Sequence, residues 1–428
     1  MNPRTLKPIN QPLKGSINIP GDKSISHRAI ILGSLAKGTT KVYNFLTSDD
    51  CLHTINAFKE LGVEIKQEGT LVIIQSEGYQ GFNEAKKPLY FGNSGTTARL
   101  LTGLFASLPL YFSIYGDPHL TERPMDRVVN PLRKMGAQIN GRKAGLLLPL
   151  SINGQQLSGI TYELPVKSAQ VKSAILLAGL FAKGQTKVIE RAITRDHTER
   201  MLKAFGANIT VKGLEITIEQ AQELQATDIH VPGDISSAAF FLVAGAIVPN
   251  SKLTLRQVGL NPTRTGIIDV LKQMGAKLNI INKQKHNDEP FGDIIIQSSD
   301  LQSIIIDGDL IPRLIDELPV IALLATQATG TTIIKDAEEL RVKETDRIRA
   351  VVEVLSAFGA NIEETKDGMI IHGPTRLNGA SVSAYYDHRM AMMIAIASLI
   401  TKDHVIMDDD SSINISYPQF FEHLAELF

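Results

Sequence analysis

Cysteine is nearly missing from this chain. Cys51 is the only one among 428 residues, so no internal disulfide can form and a reducing cytoplasm is the simplest expected location. It follows Asp49 and Asp50 at a helix start, where negative charge is expected to raise the thiol pKa and leave it unreactive. A surplus of one charge is missing too. With 44 basic and 45 acidic side chains the formal net charge is −1, whereas a nucleic-acid binder needs a basic excess along one face. The longest apolar runs, near Ala238 to Val248 and Met390 to Ile400, are too short to span a bilayer. The opening MNPRTLKPINQPLKGS has no apolar leader core. No HExxH or Cys/His cluster suggests zinc, and no GxGxxG follows a strand, which leaves a dinucleotide unsupported. The expectation is a protein without metal, cofactor, nucleic acid or membrane partner; nothing suggests an obligate assembly, so a monomer is expected.

What the chain does contain is repetition. FKELGVEI (58–65), LRKMGAQI (132–139), LKAFGANI (202–209), LKQMGAKL (271–278) and LSAFGANI (355–362) each end an amphipathic helix at a glycine and start a strand. These glycines, Gly62, Gly136, Gly206, Gly275 and Gly359, recur at a nearly even spacing along the chain. A sixth such helix, through Phe420 and Phe421, runs to Phe428. Upstream of each glycine, at a similar remove every time, comes a polar turn followed by a long apolar segment. The six copies begin GDKSISHR at Gly21, GNSGTTAR at Gly92, VKSAQVKS at Val166, GDISSAAF at Gly233, IDELPVIA at Ile315 and YDHRMAMM at Tyr386. Segments apolar nearly all round are buried helices, and β-rich runs such as TTKVYNF and SKLTLRQV follow them. One unit therefore reads helix, strand, helix, Gly turn, strand, often with one further strand.

Ile19-Pro20-Gly21-Asp22 and Val231-Pro232-Gly233-Asp234 stand about half a chain apart and suggest a duplicated chain. Two three-unit domains are expected, one spanning 20–232 and the other 1–19 plus 233–428, with the segment Lys7 to Ile19 as a strand of the second. Hydrophobic content of 43% is enough for two large cores, and 428 residues exceed what one core usually holds.

Function is suggested by the first turns of the buried helices. A helix start offers unpaired N–H groups and partial positive charge, so anions bind there. Here those turns carry Lys23, Ser24 and Arg28; Asn93 to Thr96; Lys167, Ser168 and Gln170; and His388 with Arg389. Further cations occur in ERP (Arg123), TRDHTE (Arg195) and RVKETDR (341–347). Each motif has a plainer explanation: GNSGTT as a glycine-rich cap, RDHTE as a capping box from Asp196 to Glu199, RVKETDR as a solvated helix start. Their recurrence at one position in every unit favours a cleft for a small, multiply charged anion.

PGDKSISHR (20–28), GNSGTTARL (92–100), ERPM (122–125), KSAQVKSA (167–174), DELPV (316–320), RVKETDR and DHRMAM (387–392) together closely resemble the 3-phosphoshikimate 1-carboxyvinyltransferase, or EPSP synthase, family over the whole chain. RDHTE looks like its class II branch. The resemblance implies an α/β fold of two similar domains, each three βαβαββ repeats around a pseudo-threefold axis with parallel buried helices, an inside-out α/β barrel with the active site in the interdomain cleft. It implies metal-free transfer of the enolpyruvyl group of phosphoenolpyruvate to the 5-hydroxyl of shikimate 3-phosphate, releasing phosphate, in the shikimate pathway to aromatic amino acids. Domain closure on anion binding is expected, and the family is a glyphosate target.

By the same resemblance, shikimate 3-phosphate is expected at Lys23, Ser24, Arg28, Ser168, Ala169, Gln170, Arg195, Asp316 and Lys343. Phosphoenolpyruvate is expected at Lys23, Gly95, Arg123, Gln170, Arg347 and Arg389. Asp316 is the expected base towards the shikimate hydroxyl, with Lys23 and Glu344 as candidates for proton traffic at the pyruvyl carbons. Gly95 has reason to be small, because a side chain there would fill the space of a ligand approaching the backbone. Two departures from the family's other branch stand out: Ala169 replaces a second serine, and the stretch Asn414 to Pro418 has no lysine. The related transferase acting on UDP-N-acetylglucosamine typically has Lys-Asn at the first turn, where this chain has Lys23-Ser24.

Overall fold

The computed structural model describes residues 3–221 and 223–428; Met1 and Asn2, which begin the stretch read for a leader, and Gln222 lie outside the described residues. The chain divides into two compact units. One comprises Met1–Pro20, Pro232–Lys285 and Glu289–Phe428, the other Gly21–Val231 with His286–Asp288.

The six apolar segments are the helices Lys23–Leu35, Gly95–Ala106, Ala169–Gly179, Ile235–Ile247, Leu318–Ala325 and His388–Ser398. Their lack of a polar face reflects surroundings that are protein on every side: Leu318–Ala325 is buried at every residue, and Ile235–Ile247 at every residue through Ala246. Within the second unit, helices Gly95–Ala106 and Ala169–Gly179 approach so closely that a Cβ on Gly103 would stand 2.2 Å from the carbonyl oxygen of Ala174. Only glycine permits that contact.

Each buried helix is followed by a second, amphipathic one: Asp49–Glu60, Asp126–Lys134, His197–Ala204, Gly266–Gln273, Arg347–Ala357 and Phe420–Ala425. The five glycines that close the first five have φ of 93° (Gly62), 101° (Gly136), 87° (Gly206), 84° (Gly275) and 86° (Gly359), the left-handed conformation that ends a helix and that glycine adopts without strain.

Strands assemble in one recurring order. In the second repeat Leu89–Tyr90 runs parallel to Tyr111–Tyr115, which pairs antiparallel with Leu147–Asn153, which pairs antiparallel with Gln138–Gly141. The third and fifth repeats follow the same order. The first repeat borrows its outer strand from later in the chain, since Leu224–Gln225 and Ile229–His230 lie parallel to Ala36–Tyr43. The fourth borrows from earlier: Lys14–Asn18 lies parallel to Lys252–Gly259. Arg4–Leu6 completes the sixth sheet against Val405–Met407.

The N-terminal segment differs from expectation here. Instead of one strand from Lys7 to Ile19 there are two, Arg4–Leu6 and Lys14–Asn18, serving two different sheets. The stretch between them contains Pro8 and Pro12, which cannot donate to a ladder, and so marks the break. Each unit has its own apolar core, so the α/β reading of three repeats per unit holds in both halves. Among the described residues no helix is long and apolar enough to cross a membrane.

Candidate active site

The polar turns preceding the buried helices are built as caps. Asp22, Ser94, Ser168, Asp234 and Asp387 each accept a backbone N–H of the first turn, from Ile25, Thr97, Val171, Ser236 and Arg389 respectively. A short polar side chain at the N-cap satisfies one first-turn N–H and sets the following residues, the candidate ligand-binding ones among them, at the start of a buried helix.

In the unit holding Gly21–Val231, the three first turns are tied to one another. His27 Nδ1 meets Thr54 Oγ1 at 2.7 Å, Thr54 meets Thr97 at 2.8 Å and Thr97 meets Ser94 at 2.7 Å, a fully buried chain joining the first repeat to the second. Burial, then the positive charges of Lys23 and Arg28, hold the His27 pKa well below the ordinary value, so this imidazole stays neutral. Gln170 donates to Thr96 Oγ1 at 3.0 Å and accepts from Arg99 Nη1 at 2.7 Å, joining the second repeat to the third. Arg28 donates to Ser24 O (3.0 Å), to Thr198 Oγ1 (2.6 Å) and to Ser173 Oγ (2.8 Å), joining the third back to the first. Lys23 pairs with Asp50 at 3.1 Å, and Arg123 Nη1 lies 3.5 Å from Asn93. Lys23, Ser24, Arg123, Ser168, Ala169, Gln170 and Arg195 are half-buried, Arg28 and Gly95 buried. The structure thus gathers the candidates Lys23, Ser24, Arg28, Gly95, Arg123, Ser168, Ala169 and Gln170 at three stitched helix starts, with Arg195 on the loop before helix His197–Ala204.

The other unit holds a second constellation. Arg347, 1% exposed, donates Nε to Asp387 Oδ2 (2.7 Å), Nη2 to Asp387 Oδ1 (3.2 Å) and Glu344 Oε2 (2.7 Å), and Nη1 to Asp316 Oδ1 (3.2 Å). Burial works against its charge, but Asp387, Glu344 and Asp316 outweigh it and raise the guanidinium pKa further. Lys343 Nζ lies 3.2 Å from the same Asp316 oxygen. Arg389 sits in the first turn of its helix, with Nη1 donating to Ser236 O at 3.1 Å. Asp316, Lys343, Glu344 and Arg347 are therefore one cluster of alternating charge, which the Arg389 backbone N–H meets through Asp387. Asp387, fully buried, organises it by bridging the helix start that bears Arg389 to the guanidinium of Arg347.

Three sequence expectations change in detail. RVKETDR is divided: Arg341 and Asp346 do structural work, Asp346 capping Arg349 N at 3.2 Å and accepting from Arg341 at 2.8 Å, while Lys343 and Arg347 turn to Asp316 and Glu344 accepts from Arg347. The capping box in RDHTE does not form; the Asp196 carboxylate accepts from Arg200 Nε at 2.8 Å, and Glu199 turns inward to Lys172 at 2.6 Å. Cys51 has a raised pKa as expected, but burial is the first cause and Asp50 a lesser one. Sequence reasoning passed over Arg99, Asp387, Thr198 and Lys172 as individual residues, and it read Asp50 only for its effect on Cys51. The one signal for the first four was membership of the quoted motifs, since each matters only through a partner distant in sequence.

The EPSP synthase (3-phosphoshikimate 1-carboxyvinyltransferase) family profile matches residues 8–424. The chain is 57% identical over 427 residues, the full length of both proteins, to the 3-phosphoshikimate 1-carboxyvinyltransferase of Oceanobacillus iheyensis, and 55% identical, again over both full lengths, to that of Bacillus thuringiensis subsp. konkukian. Among solved structures, an EPSP synthase from Acinetobacter baumannii superposes with a TM-score of 0.89 at 43% identity, covering 99% of this chain and 97% of that one. With its repeats, its capped cationic turns and these full-length matches in agreement, the chain belongs to the EPSP synthase family.

Proposed function

We infer that this protein transfers the enolpyruvyl group of phosphoenolpyruvate to the 5-hydroxyl of shikimate 3-phosphate, giving 5-enolpyruvylshikimate 3-phosphate and phosphate. The observation that carries this reading is the pair of pre-assembled clusters. One is cationic, at three helix starts; in the other a carboxylate, Asp316, is held against Lys343 and Arg347. Binding anions alone would not call for the carboxylate, whereas removing a hydroxyl proton beside anions calls for both.

Shikimate 3-phosphate would be held by Lys23, Ser24, Arg28, Ser168, Ala169, Gln170 and Arg195, with Asp316 and Lys343 at its reacting side. Phosphoenolpyruvate would engage Lys23, Gly95, Arg123, Gln170, Arg347 and Arg389. A proton is added to the methylene carbon of phosphoenolpyruvate while the hydroxyl oxygen, losing its proton to Asp316, bonds to C2. Loss of a methyl proton then restores the double bond and expels phosphate. Lys23 and Glu344 are the groups proposed to carry the carbon-bound proton in and out. In the structure both are paired, Lys23 with Asp50 and Glu344 with Arg347, so each is held in place before substrate arrives. Guanidinium and ammonium groups fixed in advance stabilise the charge that grows on departing phosphate without reorganising.

The protein would work as a small-molecule enzyme, expected as a cytoplasmic monomer. The test is phosphate release from shikimate 3-phosphate and phosphoenolpyruvate with a metal chelator present and UDP-N-acetylglucosamine as competing acceptor. Release with shikimate 3-phosphate alone is expected. Release only with the nucleotide sugar, or with neither acceptor, overturns the proposal.

A further inference from the structure

Lys172 is the least accessible cation described in the second unit, with no exposed side-chain surface. A lysine is rarely buried so completely unless its ammonium is fully paired. Here Nζ lies 3.1 Å from Glu190 Oε2, 2.6 Å from Glu199 Oε1 and 3.5 Å from the carbonyl oxygen of Thr194, so three donors meet three acceptors. Glu190 and Glu199 are themselves buried at 4% and 5% side-chain exposure. Burial raises the Glu199 pKa, and Lys172 opposes the shift.

The pieces joined by this ammonium are the ones that carry candidate substrate contacts. Lys172 is in the helix whose first turn presents Ser168, Ala169 and Gln170. Glu190 ends the neighbouring strand region and also binds Thr194 through its backbone N–H (3.3 Å) and its hydroxyl. Thr194 is thereby held at its N–H, its hydroxyl and its carbonyl, and the next residue is Arg195. Glu199 anchors the helix that follows. Its neighbour Thr198 accepts from Arg28 and meets Ser173, the residue after Lys172, at 2.7 Å. Two parallel links, one ionic and one through hydroxyls, therefore run between the same two helices. The ionic one lies against the loop bearing Arg195.

We propose that Lys172, through Glu190, Glu199 and Thr194, is a positioning residue that fixes Arg195 relative to the Ser168–Gln170 turn and so sets affinity for the phosphate of the phosphorylated acceptor. This rests on the functional reading above and deepens it. Lys172 touches no substrate; it holds the loop whose arginine does. A covalent tether is not available to a chain with one cysteine, and a buried ammonium with three ligands supplies directional restraint instead.

The test is steady-state phosphate release by wild type, Lys172→Met and Arg195→Ala, with each substrate varied in turn. Phosphate release by the wild type establishes the parent reading separately, so a negative outcome for the variants falls on this inference alone. Lys172→Met is expected to raise KM for shikimate 3-phosphate by about tenfold while KM for phosphoenolpyruvate stays within about twofold. In an Arg195→Ala background the same substitution is expected to add less than about twofold, because its effect passes through Arg195. An unchanged KM for shikimate 3-phosphate, equal rises for both substrates, or full additivity with Arg195→Ala overturns the inference. Should Lys172→Met fail to fold, Glu199→Gln, which keeps the volume and removes the charge, is read by the same criteria.

Discussion

Gly95→Ala isolates one atom at the candidate phosphoenolpyruvate site. Gly95 opens helix Gly95–Ala106 without needing a positive φ, so alanine fits the backbone, and its helix propensity exceeds that of glycine by up to ~1 kcal/mol. The fold should not lose stability. The new Cβ, however, would stand 2.8 Å from Arg99 Nη1 and 3.1 Å from Arg123 Cζ, against the 3.4 Å at which ordinary contact begins. Both guanidinium groups must therefore give way, Arg99 further than Arg123. Both are ends of flexible side chains, so they can move, but Arg99 also holds Gln170 at 2.7 Å and pulls on that contact as it goes. A hydrogen bond to a charged group is worth ~1.5–3 kcal/mol, so losing the alignment of one guanidinium with phosphoenolpyruvate should raise its KM roughly 10- to 100-fold. KM for shikimate 3-phosphate should change less. Phosphate release with each substrate varied, beside a thermal melt, measures this. An unchanged KM for phosphoenolpyruvate in a folded variant refutes the argument, as does a melting temperature lowered by several degrees, which would mean the damage is not local.

Asp316→Asn keeps an oxygen for Lys343 and Arg347 but cannot take a proton, so kcat should fall by roughly 10²- to 10⁴-fold with the melting curve little changed; near-normal kcat removes Asp316 from the role of base. Asp387→Ala removes a fully buried carboxylate from both Arg347 and the Arg389 backbone N–H and should cost about 3–5 kcal/mol in urea denaturation; a loss below about 1 kcal/mol would mean that the Arg347 network relaxes freely. Lys172→Met should be more destabilising at about pH 8 than at about pH 5. The Glu199 carboxyl is already raised above its ordinary 4.5 by burial, and without the lysine it rises further. A raised carboxyl stabilises the fold while protonated and loses that contribution as pH climbs through its folded value. Equal deficits at the two pH values, read from melting temperatures, would show that Glu199 takes up no proton.

Much of the fold was legible because it is written locally and repeatedly. A glycine that ends a helix in the left-handed conformation has its reason within the adjoining turn, so Gly62, Gly136, Gly206, Gly275 and Gly359 could be read without any tertiary knowledge. The same holds for the buried helices, whose missing polar face is a property of consecutive residues, and for the polar turns with Asp22, Ser94, Ser168, Asp234 and Asp387 at the caps. An anion-binding role was legible for a related reason, since cations at helix starts recur in register and chance surface charge does not; the individual site residues came from the family resemblance of the motifs.

What the sequence could not decide is where charges find their partners once the chain has folded. Asp196 and Glu199 have the spacing of a capping box, yet the buried ammonium of Lys172, on the preceding buried helix, attracts Glu199 more strongly than an exposed backbone N–H does, and the box is abandoned. Arg347 has the look of a solvated helix residue until Asp387, at the start of the next buried helix, takes it into the interior. The N-terminal segment reads as one strand from its place before the first Pro-Gly crossing, but which sheet edge is open to Arg4–Leu6 and which to Lys14–Asn18 is fixed by strands far along the chain. By itself the sequence determined the repeating elements, their caps and their turns, because those free energies are settled between near neighbours. Only the tertiary structure decided the pairing of buried charges and the closing of sheet edges, because those depend on which distant groups are brought together and shielded from water.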